Sequence, residues 1–189
     1  MSNKVLYGIQ DVYYAVATDD GNGNLTYDTP VHIPGARSIA LSASGDRTDW
    51  PADNVPYFVL NGNSGYEGDL AIALIPDSFR TDILGETLDS KGFVVERSDD
   101  KQKEFALLFQ FEGDEHAVRH CFYRCTASRP EVGSETVDGQ PEPHEETITI
   151  RAMPRVSDKV VKARAEYSSS TTSSYALWFS AVQDPTPVA

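Results

Sequence analysis

The chain has 189 residues, of which 29 are acidic and 16 basic, so that its formal net charge is −13. This length fits a single domain over residues 1–189, and a hydrophobic fraction of 40% excludes wholesale disorder. The excess of carboxylates disfavours a nucleic-acid-binding surface, because such affinity comes mainly from Lys and Arg that displace counterions. No apolar stretch approaches the roughly 18 residues of a membrane span. We therefore expect a protein made in the cytoplasm, with no membrane partner.

Segments rich in Val, Ile, Tyr, Phe and Thr alternate with turn clusters, which predicts about eight mostly antiparallel strands and a mainly β fold. The first strand should end in a hairpin turn at residues 19–23, where Gly and Asn tolerate positive φ. A second, half-buried hairpin is expected from residues 57–60 and 66–75, which flank a Gly- and Asn-rich turn. The segments that carry this pattern, nine in all, are residues 5–18, 38–44, 57–60, 66–75, 93–97, 104–111, 118–127, 147–152 and 175–182.

One short helix is predicted between the strands. Asp77 is placed to cap it, Phe79 and Ile83 fall four apart on one face, and Gly85 can end it. In the strand at 104–111, alternate residues from Phe105 onward are apolar and should anchor the core. The sequence therefore predicts a sheet with a single helix of about two turns packed near it.

Three segments lack a strand or helix pattern. Residues 45–56 are polar, contain Trp50 between turn residues, and should form a long loop or an arm. Residues 129–146 carry several Pro, Gly and acidic residues, which predicts a mobile surface loop. Residues 183–189 should form an extended C-terminal tail.

Candidate chemical motifs are weak. Asp20, Asn22 and Asn24 alternate as calcium ligands do, but Leu25 and Val31 stand where the loop needs Gly and a carboxylate, so we predict a plain hairpin turn. A second cluster matches no zinc spacing and contains two Cys too far apart on one strand for a disulfide. It consists of His116, His120, Cys121 and Cys125. No catalytic residue, metal or cofactor is predicted, and the two Cys should be free thiols.

Several segments in order resemble the major tail proteins, or tail-tube subunits, of phages with long non-contractile tails (siphophages) that infect Gram-positive bacteria. The resemblance spans most of the chain. The motifs that carry it are Tyr-Gly-Ile at 7–9, Ile-Pro-Gly-Ala at 33–36, Leu-Ser-Ala-Ser-Gly at 41–45, Ala-Asp-Asn at 52–54, Gly-Tyr-Glu-Gly-Asp-Leu at 65–70, Ile-Pro-Asp-Ser-Phe at 75–79, Ile-Leu-Gly-Glu at 83–86 and Phe-Ala-Leu-Leu-Phe-Gln at 105–110.

The resemblance implies a β-sandwich or half-barrel with one helix, and a virion structural protein rather than an enzyme. Six copies are then expected to close into a ring, and rings to stack head-to-tail into a tube that conducts DNA during ejection. The implied partners are other copies of the chain, a tape measure protein inside the tube, and a tail terminator and distal tail or baseplate proteins at its ends. Double-stranded DNA should pass without specific binding.

Two sets of residues are candidates for a role in such a tube. Glu67, Asp69, Glu104 and Glu112 lie opposite the apolar faces of their strands, and they either face the lumen or coat the outside. The 45–56 segment, with Arg47, Trp50, Asp53 and Asn54, is the candidate contact with the next ring. The alternative is an exposed loop with a locally packed Trp50. Residues 129–146 should face outward or order on assembly.

Two other functional classes compete with a tube subunit. A carbohydrate-binding β-sandwich could stack Trp50 and some of the nine Tyr on sugar rings. A sandwich-type glycoside hydrolase needs two carboxylates a few ångströms apart, and no such pair can be defended from this sequence.

Overall fold

The computed structural model describes residues 3–45, 47–52, 54–134, 136, 139 and 143–185. This part of the chain contains thirteen strands and two short helices, and its dominant element is a nine-stranded antiparallel sheet. The mainly β prediction is confirmed. The strands are β1 (Leu6–Asp19), β2 (Leu25–Tyr27), β3 (Val31–Ile33), β4 (Ala36–Ser44), β5 (Arg47–Ala52), β6 (Val55–Asn61), β7 (Gly65–Ile72), β8 (Thr87–Leu88), β9 (Val94–Val95), β10 (Phe105–Gly113), β11 (Val118–Ala127), β12 (Glu146–Ala152) and β13 (Lys162–Ala165).

The large sheet runs in the order β2-β1-β10-β11-β12-β7-β4, with β3 also paired to β1 and β13 to β11. We call β4, β7 and β12 the first half of the sheet, and β1, β10 and β11 with their short partners the second half. The two halves face each other, because one buried cluster takes Leu70 and Ile148 from the first half and Tyr14 and Leu107 from the second. The sheet brings β4 near β1, but no ladder joins them in the described residues, so the barrel stays open.

The predicted helix closes one end of this core. It begins as α1 (Asp77–Phe79), continues as a π-helical turn (Arg80–Leu84), and ends where Gly85 adopts a φ of 85°. Phe79 packs edge-on against Phe105 at 5.6 Å between ring centroids, at the start of β10. The expectation that Asp77 caps the helix is wrong, because Pro76 occupies the cap position and Asp77 lies in the first turn.

The predicted hairpin of residues 57–60 and 66–75 is wrong. β6 pairs with β5, whereas β7 pairs with β4 and β12. β4 and β7 therefore form the hairpin, and β5 and β6 form a second hairpin inserted at its tip, where the Ser64 N–H donates to the Ser44 carbonyl at 2.8 Å. We call β5 and β6 with their turn the arm. Of the two structures predicted for residues 45–56, a long loop or an arm, the structure has the arm.

The predicted strand at 175–182 is also wrong. A second helix, α2 (Thr172–Ala176), is followed by turns through residue 181, so the chain has two short helices where one was predicted. The strand at 93–97 shrinks to β9, which pairs only with β8. β7 ends at Ile72, before the predicted 75. β2, β3, β5, β8 and β13 lie outside the predicted strands.

Other predictions concern turns, thiols and tails. The chain turns at residues 19–24 through backbone N–H groups that donate to the Asp19 and Asp20 carboxylates, which confirms the hairpin turn. Cys121 and Cys125 are free and buried, as predicted. Parts of the 129–146 segment and residues 186–189 of the predicted tail lie outside the described residues. In the described part of the chain, no helix has the length and apolarity to cross a membrane.

Candidate assembly and channel surfaces

The outer face of the first half of the sheet is uncovered. Cross-strand register places its outward residues in three rows, and we call these nine positions the open face. Eight are exposed and Ala71 is half-buried. The rows are Ser42, Glu67 and Arg151; Ala40, Asp69 and Thr149; and Ser38, Ala71 and Thr147.

Charges on the open face are few and partly balanced. Glu67 pairs in register with Arg151 on the neighbouring strand. The Thr149 hydroxyl donates to the Asp69 carboxylate at 2.8 Å. Directly opposite residues in an antiparallel pair have Cβ atoms about 5 Å apart, close enough for Glu67 and Arg151 to offset each other's charge. The open face is therefore a small, polar surface with a slight negative excess.

The other two predicted acids lie on the same side of the sheet but in the second half. Glu104 immediately precedes β10, and Glu112 lies near its end. The Arg124 guanidinium donates to both Glu104 oxygens at 2.7 to 2.9 Å, and this interaction raises the pKa of Arg124. The Gln10 amide donates to Glu112. Both carboxylates are therefore held by neighbours within the subunit.

The middle of this outer surface is covered, which separates Glu104 and Glu112 from the open face. Trp178, which follows α2, packs over Leu108 and Tyr123, and its indole N–H donates to the His120 carbonyl at 3.3 Å. The Tyr123 hydroxyl donates to the Gln183 carbonyl at 2.7 Å. We call residues 166–185 the C-terminal cover.

A buried arginine ties the C-terminal cover to the sheet. Arg155 is 6% exposed and pairs with Asp158 and Asp184, while its guanidinium lies 4.6 Å from the centroid of the Tyr123 ring. Burial works to lower the pKa of Arg155, but hydrogen bonds to Asp158 and Asp184 outweigh it and the pKa is raised. This arginine stays charged and holds the end of the described chain in place.

The arm carries the predicted ring-stacking residues. Trp50 lies opposite Phe58 in the β5–β6 register, and the two side chains are 62% and 53% exposed. Asn54 lies in the tight turn with a φ of 59°, and Val55 beside it is 54% exposed. Arg47 opens β5, although its side chain is not described, and Asp53 lies outside the described residues. The arm thus presents exposed apolar side chains, of which the sequence indicated only Trp50.

Buried thiols and histidine offer no catalytic arrangement. Burial raises the pKa of both Cys121 and Cys125, so neither is a reactive thiolate. Among the described residues, no three His, Cys, Asp or Glu side chains are grouped to hold a metal ion. His120, which the sequence placed in a rejected zinc cluster, packs instead against Phe109 and Phe111.

Comparison with known proteins identifies the family. A family model described as phage tail tube protein matches residues 1–180. No curated protein matches the sequence. The family is one of structural proteins of the phage tail, not of enzymes, and it implies a virion component that associates with itself. The match covers nearly the whole chain, and it agrees with the mainly β fold and with the resemblance seen in the sequence. The chain belongs to the phage tail tube protein family.

Proposed function

We propose that six copies of this chain form a ring, and that rings stack head-to-tail into the tail tube of a siphophage of Gram-positive bacteria, through which DNA is ejected. The observation that carries the proposal is an unpaired sheet edge that borders an uncovered polar face. In the described residues, β4 has a hydrogen-bonded neighbour on one side only, β7. The opposite margin of the sheet consists of the short strands β2 and β3.

Ring closure explains the unpaired edge. An unpaired strand edge of nine residues offers N–H and C=O groups that favour pairing with another chain. Joining the sheets of six subunits into one continuous barrel removes such edges and fixes the diameter of the lumen. The β4 edge is then the part of the subunit that assembly completes.

The open face suits a conduit for DNA. A lumen lined by many Lys or Arg would bind phosphates tightly, because each contact releases counterions. The open face has one base, Arg151, set against Glu67, and a further acid in Asp69. Six copies at a formal charge of −13 carry 78 net negative charges, which repel the duplex at distances below the Debye length of about 8 Å.

Glu67 and Asp69 are accordingly the proposed lumen-facing residues. Glu104 and Glu112 contribute to the lumen only if the margins of the covered half also line it. A tape measure protein would fill the same channel before DNA does, and a polar wall with little net charge would let either pass.

The arm is the proposed contact between rings, with Trp50 as its anchor and Arg47, Asp53 and Asn54 around it. A head-to-tail contact does not close on itself, so stacking continues until another protein stops it. A tail terminator and distal tail or baseplate proteins would occupy the two ends. Exposed apolar side chains on a projecting hairpin fit a contact that is made only on assembly.

Negative-stain electron microscopy of the purified protein at high concentration tests the proposal. Rings or hollow rods are the expected result. Monodisperse small particles that bind a glycan array would instead support a carbohydrate-binding module.

A charge reversal tests the lumen assignment. Phage carrying Glu67→Lys with Asp69→Lys should build intact tails but deliver DNA more slowly, because new cations on the wall bind phosphates. The matched control reverses two exposed acids elsewhere, Asp99→Lys with Glu115→Lys. If the first phage delivers DNA at the normal rate, Glu67 and Asp69 do not face the lumen, and the tube proposal is unaffected.

A further inference from the structure

An aromatic cleft lies inside the open barrel, away from the helix. The helix packs at the start of β10, where Phe79 meets Phe105, whereas the cleft lies near its end. Its cavity volume is about 300 Å³, and it shares Ile39 and Phe111 with a neighbouring groove beside the start of β1. The side chains that line the aromatic cleft include Ile39, Leu41, Tyr66, Phe109, His120 and Phe122.

His120 lines this cleft and carries a buried polar atom that is unsatisfied. Its ring stacks on Phe109 at 5.2 Å with an interplanar angle of 10°, and among the described residues its Nε2 is the buried side-chain nitrogen or oxygen without a hydrogen-bond partner. A buried polar atom without a partner is costly, so such an atom calls for an explanation. With its proton on Nδ1, the neutral imidazole has Nε2 as its acceptor. Because Nε2 is buried in the lone subunit, the imidazole must turn toward the cleft before a donor from outside can reach this atom.

The occupant of the cleft must therefore combine an apolar body with a hydrogen-bond donor. Indole fits this description, since its ring is apolar and its single polar group is an N–H donor. The chain has two Trp, and Trp178 is buried under the C-terminal cover with its N–H already bonded to the His120 carbonyl. Trp50 on the arm is exposed.

Charge and position also fit the arm. Its residues 47–61 contain two Asp and one Arg, so the arm is net acidic. The exposed Lys162 lines the cleft, with its ammonium 4.2 Å from the centroid of the Tyr66 ring. Trp50 is the fourth residue of β5, so it lies about 10 Å along the strand from Arg47 at the base of the arm. In its own subunit Trp50 is exposed rather than docked.

We propose that the aromatic cleft receives the Trp50 indole from the arm of another copy of this chain, with the indole N–H donating to Nε2 of His120. This inference rests on the proposed tube and names the surface that receives the arm. Trp50 and the aromatic cleft lie on different patches of one chain. Each subunit therefore inserts its own arm into one neighbour and receives the arm of another, and the contact repeats without closing.

A double-mutant cycle on the purified full chain tests the hydrogen bond. Trp50→Phe keeps an aromatic ring without the donor, and His120→Phe keeps the stack without the acceptor. Each should raise the critical concentration for tube assembly about fivefold, the effect of one neutral hydrogen bond. The double variant should raise it no further, whereas independent effects that multiply would overturn the proposal. His120→Gln, which keeps an acceptor, should assemble nearly as wild type.

A crosslink tests the contact itself without depending on the strength of assembly. In assembled protein, Phe58→Cys on the arm and Lys162→Cys at the cleft should be joined between subunits by a short bis-maleimide, because a docked Trp50 brings the arm against the cleft. The native thiols are buried and should not compete. Asp99→Cys replaces Lys162→Cys in the control pair and should give no product.

The two proposals fail in different ways. If tubes form but the crosslink does not, or if the effects of the two substitutions multiply in the double variant, the docking of Trp50 is overturned and the tube proposal stands. A wild-type chain that forms no tubes overturns the proposed function and this inference with it.

Discussion

The two halves of the sheet differ in what lies on their outer faces. In the second half, Ala106, Leu108 and Tyr123 are buried beneath the C-terminal cover, so the sheet is packed on both sides. In the first half, the same alternation places Glu67 and Asp69 on an exposed surface. One half therefore carries two layers of core, and the other keeps one face free. The difference separates the part that stabilises the subunit from the part available to assembly.

The largest expected effect tests whether the cover belongs to the folded core. Trp178→Ala should lower the free energy of unfolding by about 3 kcal/mol, because it removes a buried indole and exposes the second core cluster. Urea denaturation followed by circular dichroism measures it. Ser42→Ala on the open face is the control and should stay within about 0.5 kcal/mol of wild type. Equal midpoints for both variants would abolish the distinction between the halves.

Two arginines sharpen the comparison. Arg155→Met should cost about 2 kcal/mol and make the end of the chain sensitive to limited proteolysis, since Asp158 and Asp184 lose their partner but can be solvated. Arg151→Met on the open face should cost less than about 0.5 kcal/mol. Proteolysis at the same rate in both variants would show that Arg155 does not fasten the cover.

His120 predicts a pH dependence of stability. Burial, aided by Arg164 and Lys162, lowers its pKa from 6.5 to about 4. The unfolded state therefore binds a proton more readily, and stability is lost as pH falls from 6.5 to about 4. The loss should be about 2 kcal/mol after allowance for partial solvation, measured as the difference between wild type and His120→Gln. If wild type and His120→Gln lose stability in parallel as pH falls, the His120 imidazole is in contact with water rather than buried.

The smallest effect compares two acids on the same side of the sheet. Glu104→Gln should cost about 1 kcal/mol, because it weakens the half-buried, bidentate contact with Arg124. Glu67→Gln, in the exposed pair with Arg151, should change stability by less than about 0.5 kcal/mol. Thermal unfolding at fixed ionic strength measures both, and a larger loss for Glu67 would reverse the assignment of the halves.

Strand positions followed from local pattern, whereas pairing did not. The bounds predicted for β11 match the structure, because apolar and turn residues mark them in the sequence. The error at β6 arose because partner choice depends on contacts distant in sequence. The same dependence on distant contacts explains why local pattern could not show which outer face would be covered.

The C-terminal cover had a signal that was misinterpreted. Tyr175, Trp178, Phe179 and Val182 recur at spacings of three and four, which is a helical period rather than the alternation of a strand. Glu67 and Asp69 lie opposite the buried residues of β7, whereas Glu104 and Glu112 share their side of β10 with the buried Ala106 and Leu108. Only the structure separates Glu67 and Asp69 from Glu104 and Glu112, because the separation depends on the distant segment that packs between them.

Electron cryomicroscopy of tubes assembled from the purified chain tests the central claim most directly. The account predicts hexameric rings in which β4, β7 and β12 form the inner wall, with Glu67 and Asp69 pointing at the axis and the C-terminal cover away from the open face. A reconstruction in which the open face points to the outside of the tube, or is buried between rings, would contradict it.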